Sequence, residues 1–254
     1  MQHDRRKFFG RAAAGAVAVT AGPALSSCAE TGHFDPEKGG KRWAMVIDMR
    51  VCAQHEDCEE CGHACHKAHN VPDFEGDELH EIKWIWKEPK FEHVFPSFEE
   101  HQLPARVSKK PVLVMCNHCD NPPCVRVCPT KATWRRDDGI VMMDWHRCIG
   151  CRYCVVACPY GSRSFNWFNP RPHIKDITMD FPTRMKGVVE KCTLCEERLS
   201  RNRLPACVEA CPHGALVFGD LGDPNSDVSK ILAAEYTIRR KPSLGTNPEV
   251  YYVV

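Results

Sequence analysis

The sequence predicts an α+β fold of two pseudo-symmetric modules, with nested cysteine pairing, long irregular insertions and an extended C-terminal strap. Three observations predict it. Cysteines fall in four tight groups, each led by a short strand-like run and closed by a short helical stretch. The two middle groups stand close together, while the outer two are set apart by long gaps. The chain has 254 residues, 43% of them hydrophobic, which suits one large or two small domains.

Residues 1–30 read as a targeting segment. Asp4-Arg5-Arg6-Lys7-Phe8-Phe9 is a twin-arginine signature, with Asp4 where Ser or Thr is more usual, and a weakly apolar stretch from Ala12 to Leu25 follows. That stretch is short and rich in Ala and Gly, so it is a poor membrane span. Leu25-Ser26-Ser27-Cys28 fits a lipobox, which would place a lipid anchor on Cys28. Cleavage nearby, for example after Ala29, and an uncleaved tether are the alternatives. The expected location is the periplasm or the outer face of the cytoplasmic membrane.

The mature chain repeats one unit: a strand, a cysteine loop, then a short helix. Trp43–Asp48 leads into the first group, Pro111–Met115 into the second, Gly139–Met143 into the third and Gly187–Glu190 into the fourth. Asp137-Asp138-Gly139 marks a hairpin between 133–135 and 140–142, and Ala215–Phe218 reads as a further strand. Only nineteen residues separate Cys128 from Cys148, against fifty after Cys65 and thirty-three after Cys158. Groups two and three therefore form one module, leaving one and four to form the other. The expected segments are 41–110 and 161–221 for the outer module, 111–160 for the central one, and 222–254 for a helix and strap.

The insertions, 71–110 and 160–186, read as turn-rich surface layers. The first carries Ile82-Lys-Trp-Ile-Trp86, Phe91, Phe95 and Phe98; the second carries Arg163, Phe165, Trp167 and Phe168. Their aromatics are expected to cover what lies beneath, with a docking surface as the alternative. A helix is expected over about Ser226–Glu235, and Tyr251 and Tyr252 should pack the strap onto the body.

The formal charge of +1 gives no electrostatic reason to expect nucleic acid. Cysteine is the outlier, with seventeen residues. They divide into Cys52, Cys58, Cys61, Cys65; Cys116, Cys119, Cys124, Cys128; Cys148, Cys151, Cys154, Cys158; and Cys192, Cys195, Cys207, Cys211, leaving Cys28. A secreted disulfide scaffold would be shorter and would not space its cysteines in fours.

The third group reads C-x2-C-x2-C-x3-C-P, the bacterial ferredoxin run. Three thiolates at this spacing wrap one iron–sulfur cube, and the fourth ligates another cube in the same module. The loop also aims backbone N–H groups at the sulfides, and Gly150 helps it do so. Applied to the nested pairing, the exchange rule gives four sites. They are Cys52, Cys58, Cys61 with Cys211; Cys192, Cys195, Cys207 with Cys65; Cys116, Cys119, Cys124 with Cys158; and Cys148, Cys151, Cys154 with Cys128. Each would hold a [4Fe-4S] cluster.

Pro129, Pro159 and Pro212 follow the last cysteine of groups two to four and fix each loop's exit. Group one departs: His66 replaces the proline, and five residues separate Cys52 from Cys58. Without Cys52 that site would hold three irons or none. Group four loops out eleven residues between Cys195 and Cys207 and alone would fit a zinc ribbon, but the x2 runs are a poor zinc pattern. His63, His66, His69, His118 and His146 lie close to cysteines, and supporting or surface roles are expected of them.

The run Cys116-Asn-His-Cys119-Asp-Asn-Pro-Pro-Cys124-Val-Arg-Val-Cys128-Pro-Thr130, the Cys148 run and Lys191-Cys192-Thr-Leu-Cys195-Glu-Glu-Arg198 resemble the four-cluster ferredoxin-type subunits of the dimethyl-sulfoxide-reductase and polysulfide-reductase B-subunit family. The resemblance runs from Trp43 to the Leu244-Gly-Thr-Asn-Pro-Glu-Val-Tyr ending. With Cys65-His-Lys-Ala-His-Asn70-Val-Pro72 and the leader, the chain is most similar to the DsrO type, from the membrane complex linked to dissimilatory sulfite reduction. The resemblance implies an NrfD-type integral membrane partner, a multihaem cytochrome c and other subunits, as in a DsrMKJOP-like respiratory complex.

The sequence reading is thus an electron-transfer subunit without catalytic residues, small-molecule substrate or nucleic-acid partner. No nucleophile elbow and no dinucleotide glycine fingerprint occurs. The alternative keeps the fold and assigns the chain to a molybdopterin reductase of the polysulfide-, tetrathionate- or nitrite-linked type.

Overall fold

The computed structural model describes residues 40–96 and 109–254. The targeting segment with Cys28, and Phe98 in the first insertion, lie outside the described residues. Ten short strands occur among the described residues. They are β1 (Trp43–Asp48), β2 (Ile85–Glu88), β3 (Val112–Met115), β4 (Thr133–Arg135), β5 (Val141–Met143), β6 (Ser164–Phe165), β7 (Val189–Glu190), β8 (Leu216–Asp220), β9 (Thr237–Ile238) and β10 (Val250–Val253). Short helices alternate with them, so the fold is α+β.

One four-stranded sheet runs β8-β1-β10-β9. β1 pairs antiparallel with β8 and parallel with β10. Segments distant in sequence therefore meet here, because the strand before group one lies against the strand after group four. β1 is buried on both faces, as an inner strand of continuous apolar residues must be. Met45 and Ile47 join the main core, whereas Ala44 and Val46 pack with Val228 and Val253. The helix Asp227–Ala234 covers that second face, and the Ser226 hydroxyl caps it by accepting from the Ser229 N–H at 3.1 Å.

The other strands form three two-stranded sheets. β4 and β5 make the hairpin expected from Asp137-Asp138-Gly139, with Gly139 at φ +89°. β2 pairs with β3, and β6 with β7. Both insertions thus supply partners to the strands that lead into groups two and four.

Two sequence expectations change in detail. The first insertion is a source of core: Ile82, Trp84, Ile85, Phe91, Val94 and Phe95 are all buried in the main cluster with Val112–Met115. The apolar run at 84–86 needed a partner to be read as core, and β3 supplies it for the part that becomes β2. The C-terminal strap closes as β10, an inner strand, with Tyr252 fully buried.

A buried ion pair ties the second insertion to this core. Arg184 meets Glu190 at 2.6 Å with both side chains inaccessible. Glu190 also accepts from Trp84 Nε1 and Asn166 Nδ2, and Arg184 donates to the Asn70 carbonyl. No helix among the described residues is long and apolar enough to cross a membrane.

Candidate metal centres

Sixteen cysteines are described, and none forms a disulfide. They gather into four cages. In cage A, Cys52, Cys58, Cys61 and Cys211 line one small cavity with His55, Lys87 and His213. In cage B, buried Cys65 faces Cys192, Cys195 and Cys207. In cage C, Cys116, Cys119, Cys124 and Cys158 share a cavity with Tyr160 and Arg163. In cage D, Cys128, Cys148, Cys151 and Cys154 share one with Ile149 and Arg152.

Local backbone explains how the loops curl. Gly150, Arg152, Leu194 and Cys195 all adopt left-handed φ, between 53° and 69°. A loop turning this tightly exposes N–H groups on its inner side. Leu194 N–H points at Cys192 Sγ and Ala206 N–H at Cys195 Sγ, each at 3.3 Å. The spacer after Cys52 bulges into solvent, with Gln54–Asp57 exposed, and this lets Cys52 reach the cage A cavity.

The cages form a row. Cys207 of cage B has Cys61 of cage A beside it, Cys192 of cage B has Cys116 of cage C, and Cys154 of cage D has Cys124 of cage C. The order is therefore A–B–C–D.

The donor chemistry fits a cationic iron–sulfur group. Burial first, then the neighbouring sulfurs, push the Cys61 thiol up to about 11. Burial and Cys116 push Cys192 up to about 12. Four thiolates packed this closely repel one another, and only bound cations make the set favourable. Aromatic residues seal the inner cages: the His69 ring stacks on Trp84 at 4.6 Å, and Phe181 meets it edge-on at 4.8 Å.

The histidines near the cages differ in their surroundings. His63 and His146 are exposed, with carboxylate partners in Glu59 and Asp144. His118 is buried and accepts the Val141 N–H at Nδ1, 3.1 Å away, and burial keeps its pKa well below the ordinary value. His69 lies 3.6 Å from Cys65 Sγ and 3.0 Å from Glu197. Its ligand atoms, with those of Glu197 and Cys195, fall within 4.8 Å of one another, a group that could hold a metal. His55 and His213 stack at 3.5 Å at the mouth of cage A.

Three polar residues gather around cage C whose contacts the spacing of the cysteines did not foretell. Arg163 donates to Cys124 Sγ at 3.0 Å. The Thr246 hydroxyl, bonded to the Tyr160 hydroxyl, stands beside Cys119. Lys191 is fully buried between Cys116 and Cys192 and donates to the Cys192 carbonyl at 2.6 Å. Around cage D, Ile149, Tyr153 and Val156 are exposed beside Arg152.

Residues 111–172 match a 4Fe-4S dicluster domain, and residues 147–215 match a second such domain. Two dicluster domains amount to four 4Fe-4S clusters. Group one lies outside both matches. The chain is 41% identical to the Hdr-like menaquinol oxidoreductase iron-sulfur subunit 1 of Archaeoglobus fulgidus, over 98% of this chain and 97% of that protein. It is 40% identical to a dimethyl sulfoxide reductase iron-sulfur subunit of Halobacterium salinarum, over 83% and 78%. It is 34% identical to a polysulfide reductase chain of Wolinella succinogenes, over 84% and 94%.

Proposed function

From the premise that the protein belongs to the family of 4Fe-4S iron–sulfur subunits of oxidoreductase complexes, we propose that it relays single electrons between a membrane quinone-interacting subunit of the NrfD type and a multihaem cytochrome c, in a DsrMKJOP-like complex. The observation that carries this reading is the row of four cysteine cages. When bound, the clusters supply one-electron redox chemistry; the protein supplies spacing, insulation and tuning.

In this reading cage A ligates through Cys52, Cys58, Cys61 and Cys211, and cage B through Cys192, Cys195, Cys207 and Cys65. Cage C ligates through Cys116, Cys119, Cys124 and Cys158, and cage D through Cys148, Cys151, Cys154 and Cys128. Shared cavities at A, C and D and the proximity of four sulfurs at B support these sets. The outer module is 41–110 with 161–221, and the central one is 111–160. The exposed apolar rim of Ile149, Tyr153 and Val156 supports partner docking at cage D, the end of the row.

The twin-arginine leader supports export to the periplasm, with Cys28 as the lipid-bearing residue. A relative named as a menaquinol oxidoreductase subunit supports the quinone link. A second reading, a relay subunit of a molybdopterin reductase, is favoured by the dimethyl sulfoxide and polysulfide reductase relatives. Anaerobic purification of the native complex separates them. Co-purification with a multi-span subunit and a multihaem cytochrome c supports the first, whereas a molybdopterin subunit in their place supports the second. A protein that purifies with neither contradicts both.

A further inference from the structure

Arg163 is 4% exposed, and none of its hydrogen bonds goes to a carboxylate. Nη2 donates to Cys124 Sγ at 3.0 Å and to Thr133 Oγ1 at 2.8 Å, and Nη1 reaches Met143 Sδ at 3.7 Å. A guanidinium stays charged, and burying one without an anion is costly. The anions that face it are sulfurs: Cys124 and Cys116 of cage C, and Cys154 of cage D. The carboxylate nearest in sequence to this cage, Asp120, is held by Arg135 at 2.6 Å.

Cage C collects two more favourable groups. Buried Lys191 stands between Cys116 and Cys192, and the Thr246 hydroxyl, bonded to Tyr160, stands beside Cys119. The other three cages do not match this set. Cage A has Lys87, whose ammonium is also bonded to the Glu56 carbonyl. Cage B shares Lys191 but has the Glu197 carboxylate near Cys192 and Cys195. Cage D shares Arg163 and adds the Thr130 hydroxyl at 3.7 Å from Cys128, and the Arg152 that lines its cavity is exposed, with its guanidinium over the Phe165 and Trp167 rings.

Reduction adds one negative charge to a cluster. A fixed cation and hydrogen-bond donors at the ligand sulfurs therefore stabilise the reduced form more than the oxidised one. We propose that Arg163 is a potential-setting residue and that it makes the cluster of cage C the most readily reduced of the four. The proposal rests on the ligand sets given above.

The test is a potentiometric titration of the anaerobically purified full chain, followed by spin resonance. Cys158→Ser identifies the cage C signal. In the unaltered protein that signal should be the first to appear on reduction. Arg163→Gln should shift its reduction equilibrium at least tenfold toward the oxidised form, a fall of about 59 mV for a one-electron couple. Arg163→Lys should shift it less than Arg163→Gln does, since the charge is kept while the planar fork to Cys124 and Thr133 is lost. Both variants should retain about sixteen irons.

A different cluster reducing first overturns the proposal. So does an unchanged cage C potential in Arg163→Gln, or loss of iron from either variant, which would make the residue structural. A count far below sixteen irons in the unaltered protein would instead overturn the ligand assignment on which the proposal stands.

Discussion

The carbonyl oxygen of Gly187 occupies the space into which a Cβ on Gly150 would project. Phe165 closes the same space at 3.2 Å, and Gly150 sits at φ +69°. The cage D loop is thus clamped against the strand that leads into group four. Gly150→Ala should destabilise the protein by about 1–3 kcal/mol and loosen the cage D iron first. Gly62, in the helix Glu60–Ala68, has open space around it, so Gly62→Ala should be neutral or slightly stabilising. Anaerobic thermal melts with iron counts compare the two, and equal behaviour would contradict the clamp.

The Arg184–Glu190 pair is fully inaccessible. Removing one partner leaves an uncompensated buried charge, which costs about 3–5 kcal/mol. Arg184→Met should lower the denaturation midpoint sharply. Changing Glu190→Gln in the same molecule should recover much of the loss. No recovery in the double variant would show that the hydrogen bonds of Arg184 to the His69 and Asn70 carbonyls dominate instead.

Tyr252 is fully buried, and burial pushes its phenol from 10.0 up to about 12. The folded protein therefore holds this proton more tightly than the unfolded chain does. The contribution is intact below about pH 10 and is lost as pH rises from there to about 12. The loss amounts to about 3 kcal/mol. Tyr252→Phe should flatten the alkaline fall in stability. Because the hydroxyl has no hydrogen-bond partner among the described residues, the change should also be neutral or stabilising at pH 7. Denaturant titrations at several pH values measure both effects, and an unchanged alkaline slope would assign the fall to other groups.

Much of the framework was legible from spacing. Cysteine spacing marks where sulfurs can converge. β1, the β4–β5 hairpin and the Asp227–Ala234 helix were legible too, because each carries its own local signal: an apolar run, a turn or a cap. What was not legible depends on contacts between distant segments. Ile85 is core because β2 pairs with β3, a strand that begins more than twenty positions further along the chain. Arg163 reaches Cys124 across 39 residues, and Thr246 reaches Cys119 from the C-terminal end. A lone arginine or threonine gives no sign in the sequence of which sulfur it will face.

Cys52 is set off by the longest spacer in group one, yet it lines one small cavity with Cys58, Cys61 and Cys211. Cys52→Ala should lose one four-iron cluster, leaving about twelve irons of about sixteen, or about fifteen where the site keeps three, with the cage C and D signals intact. Full retention of iron would take Cys52 out of the ligand set.

The most direct measurement is the iron and acid-labile sulfide content of the full chain purified without oxygen, read with its visible spectrum. Four filled cages predict about sixteen irons and about sixteen sulfides, in a brown protein that bleaches with dithionite. A colourless protein, or one carrying stoichiometric zinc in place of iron, would contradict them.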